Sequence, residues 1–461
     1  MVEEIGGQLH SFCRLITEGA EFILLCGLCE LCRKSIVLDC RPWCGDYRAL
    51  MKIRVVFALI VTVPLLALVG SVSKIEASQG HFRKPTKIGV LASLTGSGSS
   101  LGKNTVAALE IAADQIETAT KGRNRFAVLA RDTQLIPSKA LDAIKDLDSR
   151  GVNIVFGPQS SSEVAAIKPY ADAHNILVIS QGSTASSLAI PGDNIFRLCP
   201  NDTLEAEALV ALLRHDGISA IVPLWRNDAG NNGLHDSVQI RFQALGGTVT
   251  PGFRYEPATT DFSTATSSVA SQIQSLISGG ADPSAIAVYL AAFDEVVGVF
   301  HAAQANSTLS HTAWYGSDGV ALSAALTADS SAAAFAASVD YPNPIFGLPE
   351  ALRNQWQPVA NAIQARTGIT PDAFALSAYD GLFVVQRALQ DVKEVNKKFD
   401  NFKAAFVQKA DAYHGVTGST ALDAAGDRLN GDFDFWAVRL EGGTYIWMRV
   451  AAYSNGVITL F

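Results

Sequence analysis

Between Lys87 and Thr184 the chain alternates repeatedly between short apolar runs and segments with helical spacing, a pattern that few folds can absorb. The apolar runs Ile88–Leu94, Phe126–Ala130, Asn153–Phe156 and Ile176–Ile179 are strand-length and carry no regular polar alternation. They read as strands buried on both faces. Between the first two, Val106, Leu109, Ala113 and Ile116 share one face of a helix, and Lys139–Arg150 reads as a second helix. Buried strands joined by helices predict a parallel sheet with crossover connections. In an open sheet of this kind ligands bind beyond the carboxyl ends of the strands. Two serine turns fall there, Gly157-Pro158-Gln159-Ser160-Ser161-Ser162-Glu163 and Ser180-Gln181-Gly182-Ser183-Thr184. Their hydroxyls and free backbone N–H groups, helped by the helix N-terminus that follows, form a cradle for a small anion.

The pattern restarts at Leu204. Helices are expected at Leu204–His215, within Gly230–Leu245, and at Ser267–Ser278 and Asp294–Ala303, with strands at Ala220–Leu224, Ala285–Leu290 and Ala313–Gly316. The last of these strands ends at Ser317-Asp318. Further helices are expected at Pro349–Arg366 and Ala375–Leu389, and Phe433–Leu440 and Thr444–Tyr453 alternate like antiparallel strands. No low-complexity linker separates the two series, so the expectation is an α/β protein of two lobes with mainly parallel sheets, joined by several short strands.

The 461 residues are 48% apolar and only 17% charged, enough for a large folded core and unlike a disordered chain. A net charge of −8 with no basic patch argues against binding a nucleic-acid phosphate backbone. Six of the seven cysteines (Cys13, Cys26, Cys29, Cys32, Cys40, Cys44) lie in the first fifty residues. Cys26-x2-Cys29-x2-Cys32 has metal-ligand spacing that Cys40-x3-Cys44 would complete. The stronger reading is that Met51 opens a secretory signal, with basic Lys52 and Arg54, the apolar run Val55–Gly70 and small residues up to Ala77. On that reading residues 1–50 are an over-extended gene call, 51–77 a signal peptide, and the exported chain is periplasmic; an uncleaved membrane anchor is the alternative. Residues 1–77 carry equal numbers of acidic and basic side chains, so the exported form keeps the charge of −8. Cys199 alone cannot form an intramolecular disulfide.

Taken together, Ile88-Gly89-Val90…Leu94-Thr95-Gly96 with Gly102, Phe156-Gly157-Pro158…Ser161-Ser162, Ile179-Ser180…Thr184, Phe196-Arg197…Pro200…Asp202, Ala378-Tyr379-Asp380 and Gly415…Gly418…Asp423…Gly426-Asp427…Phe435 follow a recognisable order. Over about residues 86–455 the chain resembles type I periplasmic solute-binding proteins, in the Leu/Ile/Val-binding branch that serves ABC importers. The resemblance implies two αβα lobes with mainly parallel central sheets joined by a three-crossing hinge, lobe one from 85–203 and 343–433, lobe two from 204–342 and 434–461. It further implies a monomer that binds a small amino acid or related amide in the interlobe cleft and delivers it to a membrane permease, with no cofactor and no metal. In amino-acid binders of this family the first serine turn gives a hydroxyl to the ligand carboxylate, which falls on Ser161. The second turn supplies a backbone N–H and a threonine hydroxyl, which fall on Gly182 and Thr184 with Ser183 between them. An acid from lobe two completes ammonium recognition, and Asp318 matches it. The sequence departs from the family where an aromatic is common: Gly230 stands in one such loop and Leu101 in another. A lobe-two aromatic is kept as Phe293, with Asp294 an equal alternative in register.

Blander roles compete for the same residues. Ser161 and Thr184 suit helix N-caps, and Asp318 before Gly319 suits a turn. Trp225 and Trp314 suit packing, and the sequons at Asn201 and Asn306 are short enough to arise by chance. Gly96-Ser97-Gly98-Ser99-Ser100-Leu101-Gly102-Lys103-Asn104 mimics a phosphate loop with the wrong glycine spacing and Asn104 in the hydroxyl position. No nucleophile elbow and no His-Glu-x-x-His motif is present, and the histidines are scattered, so the expectation is a binding protein and not an enzyme. A sensor of the same fold, acting through a separate partner chain, is the alternative.

Overall fold

The computed structural model describes residues 84–461. The cysteine cluster, the reading of residues 1–50 and the signal-like segment all lie outside the described residues.

The first sheet is built from β1 (Thr86–Ala92), β2 (Phe126–Asp132), β3 (Ile154–Phe156), β4 (Leu177–Ser180) and β5 (Ile195–Arg197), in the order β2-β1-β3-β4-β5. All four pairings are parallel. Strands β3 and β4 are buried throughout, which is why they read as unbroken apolar runs. The connecting helices are α1 (Ser99–Ala119), α2 (Pro137–Ser149) and α3 (Ser161–Ala173). Helices α2 and α3 cover one face of the sheet. The strand order reverses between β1 and β3, so the loops after those two strands flank a crevice at their carboxyl ends, where ligands bind in such sheets.

The second sheet comprises β6 (Ala220–Arg226), β7 (Thr248–Val249), β8 (Phe253–Tyr255), β9 (Ile286–Ala291) and β10 (Ala313–Tyr315), again parallel, with β6 and β9 at its centre. On one face lie α4 (Asp202–His215) and α5 (Ala229–Ala244). On the other lie α6 (Ser263–Ser278), α7 (Val296–Ala303), the short α8 (Ala324–Ala328) and α9 (Ser330–Ser338). The chain then returns through β11 (Asn343–Phe346) to the first sheet. There α10 (Arg353–Thr367), α11 (Ala373–Asp391) and α12 (Phe399–Asp411) join α1 in one apolar core. After the small hairpin of β12 (His414–Gly415) and β13 (Gly418–Ser419), β14 (Phe433–Glu441), β15 (Thr444–Ser454) and β16 (Val457–Leu460) form an antiparallel sheet with β11. That sheet packs on the second unit. The chain thus passes between the two packing units three times.

Buried polar contacts fix these passages. Arg197, at the end of β5, forms a fully buried ion pair with Asp427 and donates to the carbonyl of Ala185 (2.6 Å). Asp380 of α11 accepts from the backbone N–H groups of Val416 and Thr417 (2.9 and 2.8 Å). A Cβ at Gly415 would stand 2.1 Å from an Asp380 carboxylate oxygen, so only glycine lets the hairpin approach. Gly102 plays the same part at the start of α1, where a Cβ would meet the Ser93 carbonyl at 1.8 Å.

Several elements differ from expectation. Helix α10 begins at Arg353 after a single 3-10 turn at Glu350–Leu352, not at Pro349. Helices α9 and α12 and strands β5 and β11 had no counterpart in the sequence reading. The second serine turn leads into one 3-10 turn, Ser186–Leu188, and not into a helix. A helix N-terminus therefore supports only the first turn.

Candidate functional site

Two adjoining chambers open beyond the carboxyl ends of the central strands, each enclosing about 40 Å³. That is room for only a few water molecules, so any ligand held in this arrangement is compact. The chambers share Gln159, Ser160, Gly182, Phe293 and Asp318. Ser161, Thr184, Asp228, Gly230, Asn231 and Leu234 complete one of them. Gly98, Leu101, Thr105, Leu135, Gln181, Gly319 and Phe374 complete the other.

The first serine turn is organised by a capping box. Ser160, not Ser161, is the N-cap of α3: its Oγ accepts from Glu163 N–H, and the Glu163 carboxylate accepts from Ser160 N–H. With the cap role taken, the Ser161 hydroxyl points toward the second turn. It accepts from Ser183 Oγ (3.1 Å) and from the N–H of Ala185 (3.2 Å). Both bonds fill acceptor positions, so the Ser161 hydroxyl proton stays available to donate. Thr184 caps no helix either. Its carbonyl accepts from the N–H of Asp202 (2.9 Å), while Asn201 caps α4.

The other members of the second turn are committed inward. Ser183 is buried, gives its N–H to Ser180 Oγ (3.0 Å) and its hydroxyl to Ser161, and lines neither chamber. Gly182 lines both, but its N–H leans toward Ser180 Oγ at 3.4 Å, a long bond that a ligand carboxylate would readily displace.

Asp318 borders both chambers from the second unit. Its N–H donates to Glu205 Oε1 (3.1 Å), and burial drives its carboxyl from 3.8 up to about 7, against the pull of the Gly319 N–H. Glu205 is likewise raised well above its ordinary value by burial and by the charges of Asp318 and Asp202. Asp202 is raised to about 7 by burial, with Thr184 opposing. Among the described residues no lysine or arginine forms an ion pair with any of the three. Arg197, whose charge reaches Asp202, is already paired with Asp427, and Arg226, over the Phe293 ring, is engaged by Asp228 (2.8 Å) and Glu295 (3.4 Å). The site therefore carries unneutralised acid opposite hydroxyl donors.

Phe293 forms a wall of both chambers, while the neighbouring Asp294 turns away and accepts from Gly98 N–H (2.9 Å) across the cleft mouth. A Cβ at Gly230 would rest in ordinary contact with Asp228 Oδ1 (3.5 Å) and Ser161 Oγ (3.6 Å), so the glycine lies directly against the first turn. A second bond crosses the cleft nearby, from Ala229 N–H to Ser162 Oγ (3.2 Å). The two lobes are therefore drawn together on either side of the chambers.

The sequence reading missed Gln159, Gln181, Leu135, Asn231 and Phe374. Gln159 and Gln181 lay in plain view inside the serine turns, but side-chain direction in a turn is not periodic. Phe374 arrives from α11, far along the chain. Trp314 is core packing, fully buried with Nε1 on the Leu309 carbonyl (3.0 Å), and Trp225 stacks on His235. Asn104 does not serve a phosphate loop; buried, its amide donates to the Thr370 carbonyl (3.1 Å). Burial pushes the Cys199 thiol up, which makes it inert.

Residues 85–444 match the periplasmic binding protein family. The chain belongs to that family. A curated relative, an uncharacterized protein of Methanocaldococcus jannaschii, is 24% identical over 80% of this chain and 89% of its own length. Among solved structures, the branched-chain amino acid transporter substrate-binding protein LivJ of Streptococcus pneumoniae, in complex with isoleucine, superposes with a TM-score of 0.64. It is 20% identical and is matched over 80% of this chain and 99% of that one. An ABC transporter solute-binding protein of R. palustris in complex with benzoate gives 0.62 at 18% identity, over 79% and 96%. The fold is that of a type I periplasmic binding protein, from a family of extracytoplasmic solute binders. Among the described residues no helix is long and apolar enough to cross a membrane.

Proposed function

We propose that this protein is the substrate-binding component of an ABC importer, acting as a periplasmic monomer that closes over a small amino acid or related amide and presents it to a membrane permease. One observation carries the reading: the available Ser161 hydroxyl and the Thr184 side chain border a chamber whose opposite wall is Asp318, a carboxyl group with no cationic partner among the described residues. A zwitterion complements that arrangement, its carboxylate on Ser161, Gly182 and Thr184 and its ammonium on Asp318. Phe293, Leu101 and Gly230, which presents no side chain, then shape the room for the ligand's side chain.

Mass spectrometry of the solute released from purified protein identifies the ligand, and calorimetry on variants tests its orientation. Removing one partner of a desolvated charge pair costs roughly 2–5 kcal/mol, so Asp318→Ala is expected to weaken amino-acid binding by about 30-fold or more. Thr184→Ala removes a hydrogen bond to a charged group, worth about 1.5–3 kcal/mol. Unchanged amino-acid affinity in Asp318→Ala would overturn the ammonium assignment. A solute with a carboxylate and no ammonium, of the kind seen with the R. palustris protein, would then fit better.

A further inference from the structure

Gln181 is the one glutamine of the cleft whose hydrogen bonding is incomplete. It is 1% exposed and lines the chamber walled by Leu101, Leu135, Phe293 and Phe374. Its amide nitrogen donates to Thr105 Oγ1 (3.3 Å). The Thr105 hydroxyl spends its own proton on the Leu101 carbonyl (3.0 Å), so it can only accept from Gln181. This fixes which way the carboxamide faces, an orientation that the heavy-atom positions alone would leave open. The amide oxygen is left buried with no donor among the described residues. Gln159, across the same chamber, has no such deficit: it donates to the Gly98 carbonyl (3.0 Å) and accepts from Ser93 N–H (3.3 Å).

We infer that the amide oxygen of Gln181 selects the ligand's side chain, and that the solute carries a neutral hydrogen-bond donor there, a carboxamide or hydroxyl, in place of an all-carbon branch. This rests on the amino-acid reading above and narrows it. A donor arriving at Gln181 satisfies an acceptor that otherwise stays desolvated and unpaired, which is the arrangement that discriminates most strongly against a ligand lacking the group. A carboxylate side chain is disfavoured for the complementary reason, since it would bring acceptor to acceptor beside Asp318. The apolar remainder of the wall accommodates the carbon stem.

Isosteric pairs read this directly by calorimetry on the full chain: threonine against valine, asparagine against leucine, glutamine against 5-methylnorleucine, with aspartate as the charged control. In the wild type the donor-bearing member of at least one pair is expected to bind about tenfold or more tighter than its apolar partner, and asparagine to bind tighter than aspartate. Gln181→Leu should abolish or reverse that preference without lowering resistance to urea, because the unpaired acceptor goes with the side chain. Gln181→Met serves as a second variant should the branched residue pack poorly. Apolar members binding as tightly as their partners in every pair, or a preference that survives both substitutions, would overturn this inference while leaving the amino-acid reading intact. Failure of every amino acid to bind would overturn both.

Discussion

Asp202, Glu205 and Asp318 bring three carboxyl groups together behind the cleft, with Asp202 buried and only weakly supported by Thr184 and the backbone of Ser186. Asp202 and Asp318 are held near 7, where an unfolded aspartate sits near 3.8. Between about pH 4 and pH 7 the folded chain thus binds more protons than the unfolded chain, so these groups make stability fall as pH rises through that window. Thermal melts of ligand-free protein should show the fall, and Asp202→Asn should reduce it; a profile unaltered by the substitution would contradict the assignment. Ligand binding runs the other way. An ammonium beside Asp318 favours the ionised acid, so amino-acid affinity should rise from about pH 5.5 to about pH 8, with protons released on binding at the lower end. Calorimetry in buffers of different ionisation enthalpy measures that release. The turns that carry Ser161, Thr184 and Asp318 were legible in the sequence because each lies beyond a strand, where chain order alone brings ends together; the roles given to the three residues came from the family resemblance and remain proposals. Gln181 was not legible, because its meaning depends on where the hydroxyl proton of Thr105 goes.

At the scale of elements, the parallel strands were easy to read for a physical reason: burial on both faces leaves them no polar alternation to confuse with loop. Helix α12 presented Phe399, Phe402 and Phe406 at helical spacing and buries all three, yet it was missed, so that signal was present and unused. Helix α9 offered little, since Ser330–Ser338 is almost all alanine and serine. Strand β5 is only three residues long and is defined by its parallel pairing with β4, with the buried pair between Arg197 and Asp427 holding its end. Leaving one member of a buried ion pair uncompensated costs roughly 3–5 kcal/mol. Arg197→Ala should therefore lower the free energy of urea unfolding by about that much, and it should also weaken ligand binding, because the same guanidinium holds the carbonyl of Ala185 beside Ser161. A variant with wild-type stability would show that the pair contributes little beyond a hydrophobic replacement.

For the molecule as a whole, two lobes bridged at Gly98–Asp294 and Ser162–Ala229 describe a closed arrangement, and a ligand that contacts both lobes must favour it over an open one. Small-angle scattering should record a smaller radius of gyration with the amino acid bound than without it. An unchanged radius under saturating ligand would argue against hinge closure. The bridge at Gly98 has a further consequence. Helix α1 has no side-chain cap of its own and no acid in its first turn, so the anion at its N-terminus comes from Asp294 on the opposite lobe. Each escape of solute must strip that helix of its counter-charge, and the step belongs to departure, not arrival. Asp294→Asn should shorten the residence time of every solute by a similar factor, about tenfold for one charge-assisted bond, while the order of preference among solutes stays as Gln181 sets it. Stopped-flow measurements would then separate a clasp that governs how long the cargo stays from a wall that governs which cargo is taken.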